Sequence, residues 1–288
     1  MPSDAVDRFL VDVAAKVKPG TYEQYRIKLV DLANARAKLP LASLTEKHLV
    51  DWLNDHRWSN STRRGAVASL KVWLNWCVKE GMIEKSPAEG VRRPKMGRRE
   101  RILSGEERAS IRGHCNDSFG DMLDALAWTG ARPGDVWQLE AAHVDWNEGI
   151  ARLPGKTTDA TGSLLTIHLV PKMLDLCRRL AERYPKGPLF RNSDGEPWNR
   201  NSVRCRFRRL RERLKAEGVD LSKVGAYTFR HSFATDALER GLGLADVAAL
   251  MNHADIRTTS HYAHLQQRRS HLKRQAAKAV GDEGEVKP

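Results

Sequence analysis

Long apolar runs are missing from this chain. No stretch approaches the roughly eighteen apolar residues that a helix needs to cross a bilayer, so no membrane span is expected. The opening Met1-Pro-Ser-Asp-Ala-Val-Asp7 is acidic and has no apolar core segment, which argues against a secretory leader. Cysteine is scarce. Cys77, Cys115, Cys177 and Cys205 stand far apart and form no C-x-x-C pair, so neither a zinc site nor a disulfide framework is expected. They fit reduced thiols in the cytoplasm. Clustered acidic residues of the kind that hold a divalent cation are also lacking, and no metal or cofactor is expected. Internal repeats and low-complexity tracts are absent as well.

What the chain has in excess is positive charge. Lys and Arg total 49 against 36 acidic residues, a formal net charge of +13 in 288 residues. A surface of that sign favours a polyanionic partner, although basicity alone does not separate nucleic acid from an anionic membrane. Its distribution is more informative. Arg92, Arg93, Lys95, Arg98, Arg99 and Arg101 form a basic stretch interrupted by Pro94 and Gly97, which disfavours regular helix. Between Val203 and Lys215 the apolar Val203, Phe207, Leu210 and Leu214 fall at helical spacing. Arg204, Arg206, Arg208, Arg209, Arg211 and Arg213 then fan around the rest of that helix. Such a face is either simply solvated or turned toward DNA, and we expect Arg204, Arg208 and Arg211 to face DNA.

Residues 1–90 read as a helical domain. Val6, Phe9, Leu10 and Val13 give one apolar stripe, and Tyr22, Tyr25, Leu29 and Leu32 a second. Ser43-Leu-Thr-Glu46 has capping-box form ahead of Leu49, Trp52 and Leu53. Val67, Leu70, Trp73, Leu74 and Cys77 mark a fourth helix, stopped by Gly81, and Ser86-Pro87 closes the domain. The stretch 91–101 is then an extended linker whose charges can follow a phosphate backbone. A second domain, 102–288, opens with the capping box Ser104-Gly-Glu-Glu107. A helix near 119–129 ends at Gly130, where a left-handed residue suits a helix terminus. Val144 to Leu153 reads as a hairpin turning at Asn147-Glu-Gly149, Leu165 to Leu169 as a third strand, and Pro171 starts a further helix. The fold class is therefore mainly α with a small antiparallel β-sheet.

Four sites fall in a telling order. Thr129-Gly-Ala-Arg132-Pro-Gly-Asp135 comes first, then Tyr227-Thr-Phe-Arg230-His231, then His253, with Tyr262 nine residues later. That order and spacing resembles the tyrosine recombinases, the family of phage integrases and chromosome-dimer resolvases. The resemblance runs the length of the chain. It implies a helical core-binding (SAM-like) domain followed by a tyrosine-recombinase catalytic domain, with no room for an additional N-terminal arm-binding domain. It implies double-stranded DNA as partner, a homotetramer on paired sites, and a C-terminal segment around Leu265, Leu272, Ala276 and Ala279 that docks on a neighbour.

By the same resemblance Tyr262 is the nucleophile on a DNA phosphodiester, leaving a 3′-phosphotyrosyl link. Arg132 and Arg230 are the clamp on the non-bridging oxygens, a task suited to the planar guanidinium fork. Asp135 braces the site from behind, and His253 donates a hydrogen bond to phosphate. Lys156, after the hairpin, matches the lysine that protonates the leaving 5′ oxygen, with Lys172 as a competing candidate. His231 packs or braces. Two positions depart from the family pattern. Asn252 stands where glycine normally precedes the histidine, and Asn tolerates left-handed backbone. Tyr227 stands at the usual histidine position, where a phenol is a poorer proton shuttle at neutral pH than an imidazole. Three alternatives stay open: a type IB topoisomerase-like DNA-relaxing enzyme, a catalytically weakened DNA-binding protein, and an RNA-binding helical protein.

Overall fold

The computed structural model describes residues 1–95, 101–154, 164–253 and 255–260. Lys156, Arg98, Arg99, Tyr262 and the C-terminal segment after it lie outside the described residues. The chain divides into two compact units, Met1–Arg99 and Glu100–Pro288.

The first unit consists of helices α1 (Pro2–Val13), α2 (Pro19–Ala35), α3 (Glu46–Asp55) and α4 (Asn60–Lys79), with a short 3-10 turn at Leu41–Ser43. The apolar stripes of the sequence become its core. Val6, Phe9, Leu29, Leu32, Trp52, Trp73, Leu74 and Cys77 are buried together, with Tyr22 and Tyr25 partly buried against them. Trp52 and Trp76 keep their indole N–H groups satisfied by donating to Asp31 at 2.8 Å and Asp12 at 3.1 Å. The cap of α3 lies two residues further along than the expected Ser43–Glu46 box. Ser43 lies in the 3-10 turn, and Thr45 is the N-cap, with His48 rather than Glu46 closing the box. Leu44 and Leu49 decide this. They flank the cap as N′ and N4, and both enter the core, a hydrophobic staple that fixes where the chain turns into helix. Ala88 and Val91 also join this core, so the unit continues past Pro87.

The second unit is built from α5 (Gly105–Gly113), α6 (Asp117–Thr129), α7 (Pro133–Trp137), strands β1 (Val144–Asp145), β2 (Ile150–Leu153) and β3 (Leu165–His168), then α8 (Pro171–Arg183), α9 (Arg200–Ala216), α10 (Ala226–Glu239), α11 (Leu244–Leu250) and α12 (Ile256–Thr259). The strands form one antiparallel sheet in the order β1-β2-β3, with Arg152 opposite Thr166. Arg101, expected in the linker, belongs to this unit's framework: it ion-pairs with Glu107 and donates to the Ile102 carbonyl at 3.0 Å. Val203, Phe207, Leu210 and Leu214 of α9 are buried, as their spacing predicts. Helix α10 packs against α6. Its Ser232 hydroxyl accepts from the Leu103 N–H at 2.8 Å and donates to the Thr228 carbonyl at 3.0 Å, tying the unit's entry segment to this helix.

Gly130 closes α6 in left-handed backbone at φ 60°. A β-carbon placed there would stand 2.2 Å from the Phe233 ring. Gly130→Ala therefore combines left-handed strain with a clash, and should destabilise the second unit by about 2 kcal/mol or more in denaturant unfolding. A loss within experimental error would show that α6 and α10 can move apart at no cost.

Candidate active site

The arginines come from distant parts of the sequence and meet at one turn. Arg132 is the N-cap of α7, held by Pro133 at the first helical position. Arg230 lies in the first half of α10 and is 4% exposed. A buried guanidinium needs acceptors, and here main-chain oxygens supply them. Arg230 Nη1 donates to the Gly130 carbonyl at 2.6 Å, and Nη2 donates to the Met251 carbonyl at 2.7 Å. Arg132 Nη2 donates to the next carbonyl along, that of Asn252, at 2.9 Å. Two guanidiniums 98 positions apart in sequence thus rest on consecutive peptide groups after α11.

His253 follows directly. Its Nε2 lies 2.7 Å from Arg230 Nη2, and its Nδ1 lies 2.7 Å from the Thr259 hydroxyl of α12. Arginine has donors only, so Nε2 must accept and Nδ1 must carry the proton. Burial, then the nearby Arg230, Arg132 and His231, push the imidazole down to about 4. In this structure His253 is a neutral acceptor that fixes Arg230, held in its tautomer by Thr259. Thr259 is fully buried and was not singled out in the sequence; a hydroxyl residue six positions after the histidine was the available signal.

The sign of that shift sets a pH dependence. The folded state resists protonating His253, whereas an unfolded histidine accepts a proton near 6.5. The stability that a neutral His253 contributes is present above about 6.5 and is lost as pH falls from there toward 4. Melting of the wild type should drop across this window, and His253→Asn should flatten the drop. Parallel melting curves for the two proteins would remove His253 as its cause.

The remaining candidates separate clearly. Asp135 is 8% exposed, and its carboxylate stands 3.9 Å from Arg132 Nη1, an ion-pair rather than a hydrogen-bond distance. Tyr227 lies one helical turn before Arg230 but is 53% exposed, and its hydroxyl has no hydrogen-bond partner among the described residues. Lys172, the competitor of Lys156, sits 4.4 Å from the centre of the Trp128 ring, where a cation–π contact occupies it. Arg92, Arg93 and Lys95 are exposed in the first unit, and Arg204 and Arg208 are exposed on α9. Arg211 is partly committed to the fold: its Nη1 donates to the Val224 carbonyl at 2.7 Å. No group of three or more potential metal ligands occurs among the described residues.

The Asn252 backbone is left-handed at φ 51°, as the substitution for glycine requires. Its side chain does something the sequence did not suggest. Oδ1 accepts from the Thr166 N–H at 3.2 Å, and Nδ2 donates to the Thr166 carbonyl at 2.6 Å.

Known proteins resemble this chain in sequence and in fold. The model of the phage integrase family matches residues 104–269. Tyrosine recombinase XerC of Proteus mirabilis is 27% identical over 91% of this chain and 89% of its own length. XerC of Xylella fastidiosa is 30% identical over 69% of this chain and 68% of its own. Among solved structures, a lambda integrase dimer bound to a COC′ core site superposes with a TM-score of 0.76 at 19% identity, covering 92% of this chain and 96% of that one. The Tn1549 transposon integrase in complex with a circular intermediate DNA gives 0.75 at 15% identity, covering 96% and 99%. Fold and relatives together define a site-specific DNA recombinase of the tyrosine type. The chain belongs to the phage integrase family.

Proposed function

We propose that this chain cleaves and rejoins DNA in the cytoplasm through a covalent 3′-phosphotyrosyl intermediate, without metal or ATP. Tyr262 attacks the scissile phosphorus. The bond from its phenolic oxygen to phosphorus forms as the bond to the 5′ oxygen breaks; the phenolic proton passes to water, and Lys156 supplies a proton to the departing oxygen. The observation that carries this reading is the seating of Arg132 and Arg230 on the consecutive carbonyls of Met251 and Asn252. Guanidiniums fixed in this way supply the charge stabilisation that a phosphoryl transition state demands, which a metal ion would otherwise provide. Energy retained in the phosphotyrosyl bond lets a second strand's 5′ hydroxyl rejoin the backbone. The exposed Arg92, Arg93, Lys95, Arg204 and Arg208, with Arg98 and Arg99, hold duplex DNA by its phosphates. A lambda integrase tetramer has been seen bound to a Holliday junction; a homotetramer on paired sites is the assembly we propose here.

The test is a nicked suicide duplex tiled from DNA flanking the gene, with denaturing gels to detect a protein–DNA adduct. The adduct should form, and EDTA should leave its yield unchanged. Loss of the adduct in EDTA would overturn the metal-free mechanism, and binding with no adduct on any duplex would leave a DNA-binding protein that kept the fold.

A further inference from the structure

Asn252 makes a connection that glycine, the residue the family resemblance implies there, could not make. Its carboxamide engages both the N–H and the C=O of a single residue, Thr166 of β3. That two-way exchange is the pattern of a hydrogen-bonded pair in antiparallel strands, reproduced here by one side chain. The same residue's carbonyl seats Arg132 at 2.9 Å. The residue before it seats Arg230 through its carbonyl, and the residue after it through an imidazole nitrogen. One left-handed residue therefore joins β3 to the supports of both arginines. Lys156 falls, in sequence, between β2 and β3.

We infer that Asn252 is a positioning residue that fixes strand β3 against the supports of the arginine pair, and thereby governs protonation of the leaving 5′ oxygen. This rests on the proposed role of Lys156 as the acid. Asn252→Gly keeps the left-handed backbone and removes both bonds to Thr166. Asn252→Asp keeps an acceptor for the Thr166 N–H and loses the donor. In neither variant is Arg132 or Arg230 altered.

The experiment compares the wild type, both Asn252 variants and Lys156→Ala on two suicide duplexes carrying the mapped cleavage site. One has an ordinary scissile phosphodiester; in the other, sulfur replaces the bridging 5′ oxygen. A thiolate departs without a proton, so the sulfur duplex does not require the acid. Asn252→Gly should slow cleavage of the ordinary duplex by roughly tenfold to a hundredfold, and that of the sulfur duplex by less than about threefold. Asn252→Asp should fall between Asn252→Gly and the wild type. Hydrogen exchange at the Thr166 amide should be faster in Asn252→Gly, at a melting temperature close to that of the wild type. Equal slowing on both duplexes, no slowing on either, or unchanged exchange at Thr166 overturns the inference. Sulfur rescue of Lys156→Ala without rescue of Asn252→Gly overturns it alone. A wild type that forms an adduct with neither duplex overturns the proposed function as well.

Discussion

Arg230→Lys is expected to cut strand cleavage by roughly a thousandfold and to weaken the second unit in the same stroke. The reason lies in the number and direction of its bonds. Arg230 reaches the Gly130 carbonyl with one terminal nitrogen, and the Met251 carbonyl and His253 Nε2 with the other. A lysine ammonium is a single point with three donors and cannot span those acceptors from one position. At least one buried carbonyl is then left without a donor, at about 1–3 kcal/mol for each such group. His253 loses the partner that defines its tautomer. Catalysis suffers further, because removing one positioned donor from a developing phosphoryl charge costs a factor of about a hundred to a thousand by itself. Single-turnover cleavage of the suicide duplex and denaturant unfolding of the same sample measure the two effects. Cleavage within a few-fold of wild type would remove Arg230 from the clamp. A cleavage loss with unchanged unfolding would mean the carbonyl bonds contribute nothing to the fold.

Tyr262→Phe should abolish the covalent adduct altogether while leaving DNA affinity within about twofold of wild type. Only a hydroxyl is removed. The attraction between a chain of net charge +13 and duplex DNA is carried by lysine and arginine contacts to phosphate, which the substitution does not touch. Adduct yield on denaturing gels and binding in a mobility-shift titration separate the two quantities. If the phenylalanine variant still formed an adduct, the nucleophile would have to be sought elsewhere, with Tyr227 the first to test because it is exposed and lies a turn from Arg230.

Much of the architecture was legible because it follows from local periodicity. Val203, Phe207, Leu210 and Leu214 mark the buried stripe of α9 by spacing alone, and Gly149 marks the hairpin through the positive φ of 64° that its turn requires. Gly130 announced the end of α6 in the same way. What the sequence did not carry was the partner of each polar atom. The Thr45 cap won over the Ser43 register because Leu44 had a core to enter, a fact about helices elsewhere in the unit. The order of Arg132, Arg230 and His253 pointed to a shared site, yet nothing local says that Arg230 is buried on carbonyls 100 and 21 residues away. Nor could local pattern fix the tautomer of His253, which depends on an arginine and a threonine brought in by separate helices. Asn252 was read correctly for its backbone and missed for its side chain, whose partner lies 86 positions earlier.

That amide has a consequence for how the protein behaves in a crowded solution. β3 is the terminal strand of the sheet among the described residues, and the terminal strand of any open sheet offers its outward peptide groups to a passing chain. At Thr166 both groups are already taken by Asn252. A foreign strand attempting to extend the sheet would first have to break two hydrogen bonds belonging to the turn that holds the arginines. The contact therefore caps a sticky edge, and the glycine variant should be the more prone to aggregate at high concentration.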